Sequence, residues 1–347
     1  MRSFQSPATF DPVPGAIVAV LRAIDRASGA EALYRDQLPQ LLEALRERAR
    51  IESVTASSAI EGVVVEPNRV AGLVGGRTHR FRDRNEKEFA GYRAALDYLN
   101  QDDAGGLSVG LLLHLHRLLF QYADGQGGNF NTQDNLVTDR AADGTRTVRF
   151  EPVSARETPR YVEELVTRTQ AKLARDGAHP LLVASAFALD LLCIHPFADG
   201  NGRVTRLITS YLLGETGYGV GRYVSIEALI YGTKDDYYSA LSRSTNGWFD
   251  DGNHTLWPWA GYLLDQVATA YARFEARVAA GISPGTKQGR VRDFVLLHGP
   301  ATFRIEDIRS ALPGITDQTI RLVLHELRDA GQIVSDGAGR ASRWRRT

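Results

Sequence analysis

The sequence predicts a mainly α-helical protein with one β-hairpin in its first 280 residues and a small separate unit at its C-terminal end. Apolar residues recur at helical spacing through most of the 347 residues. Between Gly127 and Pro152 this pattern gives way to two short extended runs on either side of an Asp-Gly turn, which is typical of a hairpin. A Gly-Ser-Pro stretch over 281–286 then resembles a linker.

Composition limits the class of protein. Lys plus Arg and Asp plus Glu number 41 each, and 43% of residues are apolar, which excludes a wholly basic or acidic chain and wholesale disorder. A single cysteine, Cys193, excludes an intrachain disulfide and a cysteine zinc cluster. Met1–Phe10 has no apolar targeting core, and the apolar stretch Pro180–Phe197 is shorter than the ~20 residues of a membrane span. We expect a soluble, cytoplasmic protein with no membrane partner.

The N-terminal 84 residues are expected to form a helical region. One helix carries its apolar face at Ile17–Ile24, and a second begins at Pro39 and runs to Glu61 before Gly62. Residues 63–84 contain Pro and several Gly and are expected to be a long loop.

A helical core is expected over residues 85–280. Its predicted helices are 88–100, 108–121, 157–175, 180–194, 202–214, 234–244 and 256–280, with the hairpin at 129–151.

The C-terminal unit, residues 287–347, predicts a winged helix-turn-helix. It holds 11 Lys and Arg against 7 Asp and Glu, a difference of four positive charges. Three predicted helices, at 291–298, 305–311 and 316–330, precede two short strands at 332–334 and 342–344. Two interpretations stay open: the third helix contacts DNA, or the unit binds a protein partner.

One segment, His195–Arg206, carries the residue types that phosphate chemistry needs. It reads His-Pro-Phe-Ala-Asp-Gly-Asn-Gly-Arg-Val-Thr-Arg between two predicted helices. Backbone N–H groups of a Gly-rich turn at a helix N-terminus bind anions, and arginines three residues apart project from one face of a helix. An aspartate suits Mg²⁺, and a histidine suits a general base. The segment predicts a site for a magnesium-bound di- or triphosphate.

Calcium-binding and other nucleotide-binding motifs do not fit the chain. An EF-hand loop starting at Asp199 would need oxygen ligands where Arg203 and Ser210 stand. The chain lacks G-x-x-x-x-G-K-[ST], and Gly217–Gly221 is followed by Arg222 instead of the final glycine of G-x-G-x-x-G.

The segment resembles the Fic motif, H-P-F-x-[D/E]-G-N-G-R-x-x-R, at every specified position. The surrounding helices and the preceding hairpin also match, over about residues 30–280. The resemblance implies a Fic-type helical bundle with the hairpin as a flap. It also implies transfer of AMP from ATP to a hydroxyl side chain of a target protein. Glycine at position 202, where the phosphate-transferring relative Doc has lysine, favours AMP transfer.

The resemblance assigns a role to each functional position of the motif. His195 would take the proton from the target hydroxyl, and Asp199 would hold Mg²⁺ between the α- and β-phosphates. Arg203 and Arg206 would bind the β- and γ-phosphates. Backbone N–H groups at three positions would cradle the phosphates: Gly200, Asn201 and Gly202.

A second segment resembles the Fic inhibitory motif, [S/T]-x-x-x-E-G, with Ser57 and Glu61 at the matching positions. The helix dipole disfavours an anion in the last turn of a helix. Glu61 therefore suggests a cationic partner or simple exposure to solvent. In the family this glutamate pairs with the second arginine of the active motif, here Arg206, and blocks the γ-phosphate. The resemblance implies a self-inhibited enzyme.

The remaining expectations concern partners. The target would dock along the 129–151 flap as an added strand. Tyr237 and Tyr238 are predicted either to line the adenine pocket or to pack in the core. A homodimer is expected only from the resemblance. Alternative functions stay open: phosphotransfer or AMP removal on the same scaffold, and a DNA-binding regulator that uses residues 287–347.

Overall fold

The computed structural model describes most of the chain: residues 2–5, 10–76, 80–101, 104–123, 127–140, 146–175, 177–250, 253–282, 286–336 and 343–347. The helices over these residues are α1 (Gly15–Gln37), α2 (Pro39–Ile60), α3 (Pro67–Val74), α4 (Arg84–Leu99), α5 (Val109–Phe120), α6 (Thr158–Leu173), α7 (Pro180–Ile194), α8 (Asn201–Glu215), α9 (Ile226–Gly232), α10 (Lys234–Thr245), α11 (Trp257–Ile282), α12 (Lys287–Asp293), α13 (Ile305–Ala311) and α14 (Asp317–Asp329). The strands are β1 (Val137–Arg140), β2 (Arg146–Phe150), β3 (Thr302–Phe303), β4 (Ile333–Asp336) and β5 (Arg343–Arg346). The mainly helical class is as predicted.

Helix α7 is the centre of the larger hydrophobic core. Every residue from Leu181 to Ile194 is buried, and α6, α8, α10 and α11 pack against it. Asp190 is the one acidic residue on this helix. It accepts hydrogen bonds from Ser3 and Trp248, and burial raises its pKa to about 6. No helix in the described part of the chain is long and apolar enough to cross a membrane.

Helix α2 brings the N-terminal region to the core. It begins with Pro39, buries Leu42, Leu45 and Ala49, and packs against α4 and α9. Glu61 follows as the C-terminal cap.

The predicted loop over 63–84 is wrong in part, because it contains the helix α3. Pro67 starts this helix, and Leu73 and Val74 are buried against the core. Pro at the first helical position favours a helix, and the eight residues before Gly75 supply enough apolar surface to bury one. The sequence analysis also missed α9.

The predicted hairpin is present as β1 and β2, which pair antiparallel. Val137 lies opposite Phe150 and Thr138 opposite Val148, with a register shift between them. The Asp-Gly tip of the prediction lies outside the described residues.

The C-terminal unit has its own hydrophobic cluster. Val295, Ile308, Val323 and Trp344 are buried in it, and its sheet has the antiparallel order β3–β5–β4. The three predicted helices and two predicted strands lie in the predicted order, and the sequence analysis missed the short strand β3 before α13. The winged helix class and the domain boundaries stay predictions. Residues 283–285 of the predicted linker lie outside the described residues.

This unit packs against α2. Ala44 lies against its hydrophobic cluster, and Arg48 donates a hydrogen bond to the carbonyl of Gly299 at 2.9 Å. One helix therefore contacts both the C-terminal unit and the core.

Candidate active site

The chain turns sharply where α7 ends. His195 adopts a left-handed conformation (φ 53°, ψ 57°), and among the residues that the structure describes it is the one other than glycine with positive φ. Such a backbone costs roughly 1–3 kcal/mol and persists only where surrounding contacts hold it. Its N–H still bonds to the carbonyl of Leu191, so the turn directs the imidazole away from the end of a rigid helix.

The His195 ring has the form that a base needs. Its Nδ1 lies 3.3 Å from the carbonyl of Leu192, which favours the tautomer with the proton on Nδ1 and a lone pair on Nε2. Burial lowers the pKa of His195, so the ring is neutral at neutral pH. Phe150 of the flap meets the ring edge to face, with centroids 6.1 Å apart.

Gly200 and the first turn of α8 have the backbone geometry that the predicted anion site requires. Gly200 has φ 81°, and a Cβ there would lie 2.8 Å from Leu119. The first helical hydrogen bond runs from Val204 N to Gly200 O, so the N–H groups of Asn201, Gly202 and Arg203 have no acceptor within the helix. These N–H groups are available to an anion.

The Asn201 side chain closes the same turn. Its Oδ1 accepts from Phe197 N at 2.9 Å and its Nδ2 donates to Phe197 O at 2.7 Å. Only 3% of the residue is exposed, so the side chain shapes the loop and is not free to bind a ligand.

Asp199 is the exposed carboxylate of the turn. Its side chain is 55% exposed, and Oδ1 accepts from the N–H of Gly200 at 2.6 Å. Within the described ranges, no group of three or more His, Cys, Asp or Glu side chains gathers to hold a metal. A single carboxylate still fits Mg²⁺, because this ion takes one or two protein carboxylates together with substrate phosphates.

Arg203 is buried, with 2% of its side chain exposed. Its Nη1 donates to Glu88 at 2.5 Å, and its Nη2 donates to Asp199 at 3.3 Å. The guanidinium thus faces carboxylates, and its phosphate-binding role stays a prediction.

Arg206 contacts both residues of the second predicted segment. Its Nε donates to Ser57 Oγ at 2.9 Å, and its Nη2 donates to Ser57 O at 3.1 Å and to Glu61 Oε1 at 2.8 Å. Burial alone would lower the pKa of Arg206, but the neighbouring Glu61 carboxylate reverses this and raises it.

The Glu61 carboxylate also covers the glycine turn. A Cβ on Gly202 would lie 2.3 Å from Glu61 Oε1. The carboxylate therefore lies directly against the first turn of α8, where the free N–H groups attract an anion.

Helix α10 carries the two tyrosines. Tyr237 is 3% exposed and packs edge to face against Trp259, with centroids 5.4 Å apart, while Tyr238 is half-buried beside it. An adenine-binding role for either stays a prediction. Lys234, at the start of α10, donates to the carbonyl of Ile60 at 2.8 Å and so holds the end of α2.

The segment leading into the flap is fixed to the motif. Asn131 N donates to Pro196 O at 3.0 Å, and Asn135 Nδ2 donates to Phe197 O at 3.1 Å. This places the hairpin beside His195.

His116 on α5 supports the loop from beneath. Its ring stacks on Phe197 with centroids 4.0 Å apart, Nδ1 accepts from Gly128 N, and Nε2 lies 3.2 Å from Asp199 O. Burial lowers the pKa of His116 to about 4, so the ring is a neutral structural link.

Sequence reasoning missed several residues around the motif. They are Arg84, Glu88, His116, Phe150 and Lys234. Their residue types are common on any helix or strand, and no local spacing marks them, because four of them meet the turn, and Lys234 the end of α2, across a long stretch of chain.

The motif region matches a known family. Residues 106–213 match the model of the Fic/DOC family, which takes in the flap and the whole of His195–Arg206. This match assigns residues 106–213, about a third of the chain, to the Fic/DOC family.

Individual relatives agree with this assignment. The chain is 27% identical over 171 residues to protein adenylyltransferase fic-1 of Caenorhabditis elegans, covering 47% of this chain and 30% of that protein. It is 30% identical over 137 residues to protein adenylyltransferase Fic of Drosophila virilis, which covers 38% of this chain and 25% of that protein. The matches span less than a third of these curated relatives. A Fic family protein from Desulfovibrio desulfuricans G20 shares the fold with a TM-score of 0.62 at 22% identity, over 96% of this chain and 97% of that one.

Proposed function

We propose that this chain transfers AMP from ATP to a hydroxyl side chain of a target protein. The hydroxyl oxygen attacks the α-phosphorus, the bond to the β-phosphate oxygen breaks, and pyrophosphate leaves. The observation that carries the proposal is the convergence at one turn of a neutral imidazole, an exposed carboxylate and the free N–H groups of α8. The names of the relatives support the same reaction.

Each group of the turn supplies one part of this reaction. His195 Nε2 takes the hydroxyl proton, since Nδ1 is turned to Leu192. The first turn of α8 binds phosphate oxygens through the N–H groups of Asn201 and Gly202. Asp199 would hold Mg²⁺, which neutralises charge on the phosphates.

We propose further that Glu61 inhibits the enzyme. Its carboxylate is bound to Arg206 and lies against Gly202, so it occupies anion-binding positions that ATP phosphates need. A bound carboxylate excludes the γ-phosphate by occupancy and by like charge.

The two proposals are tested together with labelled ATP and Mg²⁺ on wild type, Glu61→Gly and His195→Ala. We expect self-modification to rise in Glu61→Gly and to vanish when His195→Ala is added to it. Glu47→Gln is the matched control, because Glu47 lies on α2 and pairs with Arg50 away from the turn. Equal labelling of Glu61→Gly and wild type, with folding and ATP binding intact, would contradict the inhibitory role.

We propose the flap as the docking edge for the target. Leu136 and Val148 are each 59% exposed beside the active turn, which suits an added strand with apolar contacts. Replacing both with Ser should weaken transfer to a target and leave self-modification of Glu61→Gly measurable.

AMP removal is a second candidate function. It is favoured by the position of Glu61, whose charge is close enough to His195 to affect the pKa of that ring. Incubating an AMP-modified target with wild type distinguishes the two, because removal restores the unmodified mass. A mass gain of one phosphate after incubation with ATP would instead indicate phosphotransfer.

DNA binding by the C-terminal unit is a further alternative. Helix α14 exposes Gln318, Arg321 and His325, but the nearby Arg328 faces Asp329. A DNA mobility shift of the full chain that weakens with salt would support it. A homodimer stays a prediction, which the mass of the chain in solution would test.

A further inference from the structure

Glu88 lies beneath the active turn without touching the proposed substrate positions. It is on α4, and only 4% of its side chain is exposed. Its Oε1 accepts from Arg84 Nε and its Oε2 from Arg203 Nη1, each at 2.5 Å. Two arginines therefore share one buried carboxylate.

The same two arginines reach Asp199. Arg203 Nη2 lies 3.3 Å from Asp199 Oδ1, and Arg84 Nη2 lies 3.3 Å from Asp199 Oδ2. Two carboxylates and two guanidiniums thus form a closed ring, which we call the Asp199 ring: Arg84, Glu88, Asp199 and Arg203. Each arginine lies 2.5 Å from a Glu88 oxygen and 3.3 Å from an Asp199 oxygen. Both arginines are therefore bound more closely by Glu88 than by Asp199.

Burial divides the Asp199 ring into two halves. Glu88 and Arg203 are almost fully buried, whereas Arg84 is 72% exposed and Asp199 is 55% exposed. A buried guanidinium needs a carboxylate partner, and Glu88 supplies it. Asp199 is then left with only long contacts to the two arginines, while its Oδ1 also accepts from Gly200 N at 2.6 Å.

We propose that Glu88 is a positioning residue that keeps the Asp199 carboxylate available to a divalent cation. Without the Glu88 charge, two arginines would have Asp199 as their nearest carboxylate and would compete with the cation for it. This inference rests on the proposed function, in which Asp199 is the magnesium ligand.

The Asp199 ring predicts opposite effects for substitutions at Glu88 and at Arg84. Glu88→Gln removes a negative charge and should weaken Mg²⁺-dependent nucleotide binding about tenfold or more. Arg84→Gln removes an exposed competing cation and should strengthen it about twofold to fivefold. The double variant should recover part of the loss.

The test uses the full chain carrying Glu61→Gly, so that the nucleotide site is open. Calorimetry measures binding of a non-hydrolysable ATP analogue over a range of Mg²⁺ concentrations, and AMP transfer is measured over the same range. Glu86→Gln is the matched control, because Glu86 is equally buried on α4 but pairs with Arg69 away from the turn.

Each outcome either supports or overturns the role of Glu88. A Mg²⁺ dependence that shifts in Glu88→Gln but not in Glu86→Gln, with the opposite shift in Arg84→Gln, supports the inference. Equal effects of Glu88→Gln and Glu86→Gln, or weakened binding in Arg84→Gln, overturn it while the proposed function stands. Because the Arg84 side chain is exposed, we expect Arg84→Gln to fold, and its binding result tests the inference even if Glu88→Gln does not fold. If Glu61→Gly alone shows no Mg²⁺-dependent nucleotide binding, the proposed function falls as well.

Discussion

His195 has a left-handed backbone conformation and a buried ring, and its Nδ1 is bound to the carbonyl of Leu192. The backbone conformation turns the chain out of α7 at the point where the imidazole must face the glycine turn. The bond from Nδ1 to Leu192 decides which nitrogen is left for the substrate. In the proposed reaction, a ring held in this way could accept the hydroxyl proton without first changing its position.

Loss of the base should be severe. His195→Ala in the Glu61→Gly background should lower the rate of AMP transfer by about 10²–10⁴-fold, which is the usual contribution of a general base. ATP binding, measured by calorimetry, should change little. A rate within threefold of the parent would show that another group accepts the proton.

The pH dependence of transfer follows from the lowered pKa of His195. Only the neutral ring can accept a proton, so activity is lost as pH falls through the folded pKa, which lies below the ordinary value of 6.5. We expect kcat/KM of Glu61→Gly to be flat from pH 7 to 8 and to fall on the acid side only below pH 6.5. A fall that begins at or above pH 7 would contradict the assignment.

His116 should make stability depend on pH. Its folded pKa of about 4 is below the ordinary 6.5, so the unfolded chain binds the proton first as pH falls. This ring should therefore remove up to about 3 kcal/mol from the free energy of unfolding between pH 6.5 and pH 4. Denaturant unfolding of wild type and His116→Gln at pH 7 and pH 4.5 measures it: the difference between the two proteins should shrink at low pH.

The motif could be predicted residue by residue because it is continuous in the chain. Twelve consecutive positions contain the imidazole, the carboxylate and the glycine turn, so spacing alone carries the signal. Glu88 and Lys234 could not be predicted this way. Glu88 meets Arg203 across 115 residues, and Lys234 meets Ile60 across 174. Such pairings depend on how helices pack, which a local pattern does not contain.

Helix α2 is the element that connects Glu61, the residue we propose to be inhibitory, to the rest of the fold. Its last turn presents Ser57 and Glu61 to Arg206, and its end is held from α10 by Lys234. A cation at the C-terminal end of a helix satisfies a carbonyl that the helix leaves unpaired.

Lys234→Met should loosen the end of α2. The Ile60 carbonyl would lose its donor at 2.8 Å, and Glu61 would be held less firmly. We expect basal self-modification of the otherwise wild-type chain to rise, though less than in Glu61→Gly, as measured with labelled ATP. Lys172→Met on α6 is the control, because Lys172 lies over the ring of Phe10, away from α2. Equal activity of the two variants would exclude Lys234 from inhibition.

On the scale of the whole molecule, the C-terminal unit rests on the same helix that carries Glu61. Arg48 and Arg346 both donate to the carbonyl of Gly299, at 2.9 and 2.6 Å. Arg48 lies about three and a half turns before Glu61 along α2.

Arg48→Met should weaken this contact. Loss of a charge-assisted hydrogen bond that is mostly shielded from solvent should cost about 1–2 kcal/mol of unfolding free energy. Arg46→Met is the control, because Arg46 is more exposed on the same helix and contacts Tyr223 instead. Hydrogen exchange along α2 should increase in Arg48→Met and not in Arg46→Met.

The fold class was predictable because long amphipathic and apolar helices such as α7 have a clear pattern. The two helices that the sequence did not predict are short. α3 and α9 have eight and seven residues, and each supplies only two turns of pattern. Their stability comes from packing onto the core, as with Leu73 and Val74, and no local signal measures that.

Ser57 accepts hydrogen bonds from Arg206 through both its hydroxyl and its carbonyl, and neither bond involves the Glu61 side chain. The Arg206 guanidinium, which we propose meets the terminal phosphate, is therefore held in place by α2, the same helix that presents Glu61. Deletion of α2 and substitution of Glu61 should therefore have different effects on Arg206. Deletion of α2 would remove Ser57, which holds Arg206. Substitution of Glu61 would leave Ser57 and its bonds to Arg206 in place. On this proposal, inhibition is relieved when the Glu61 carboxylate moves away from Arg206, and α2 can stay in place.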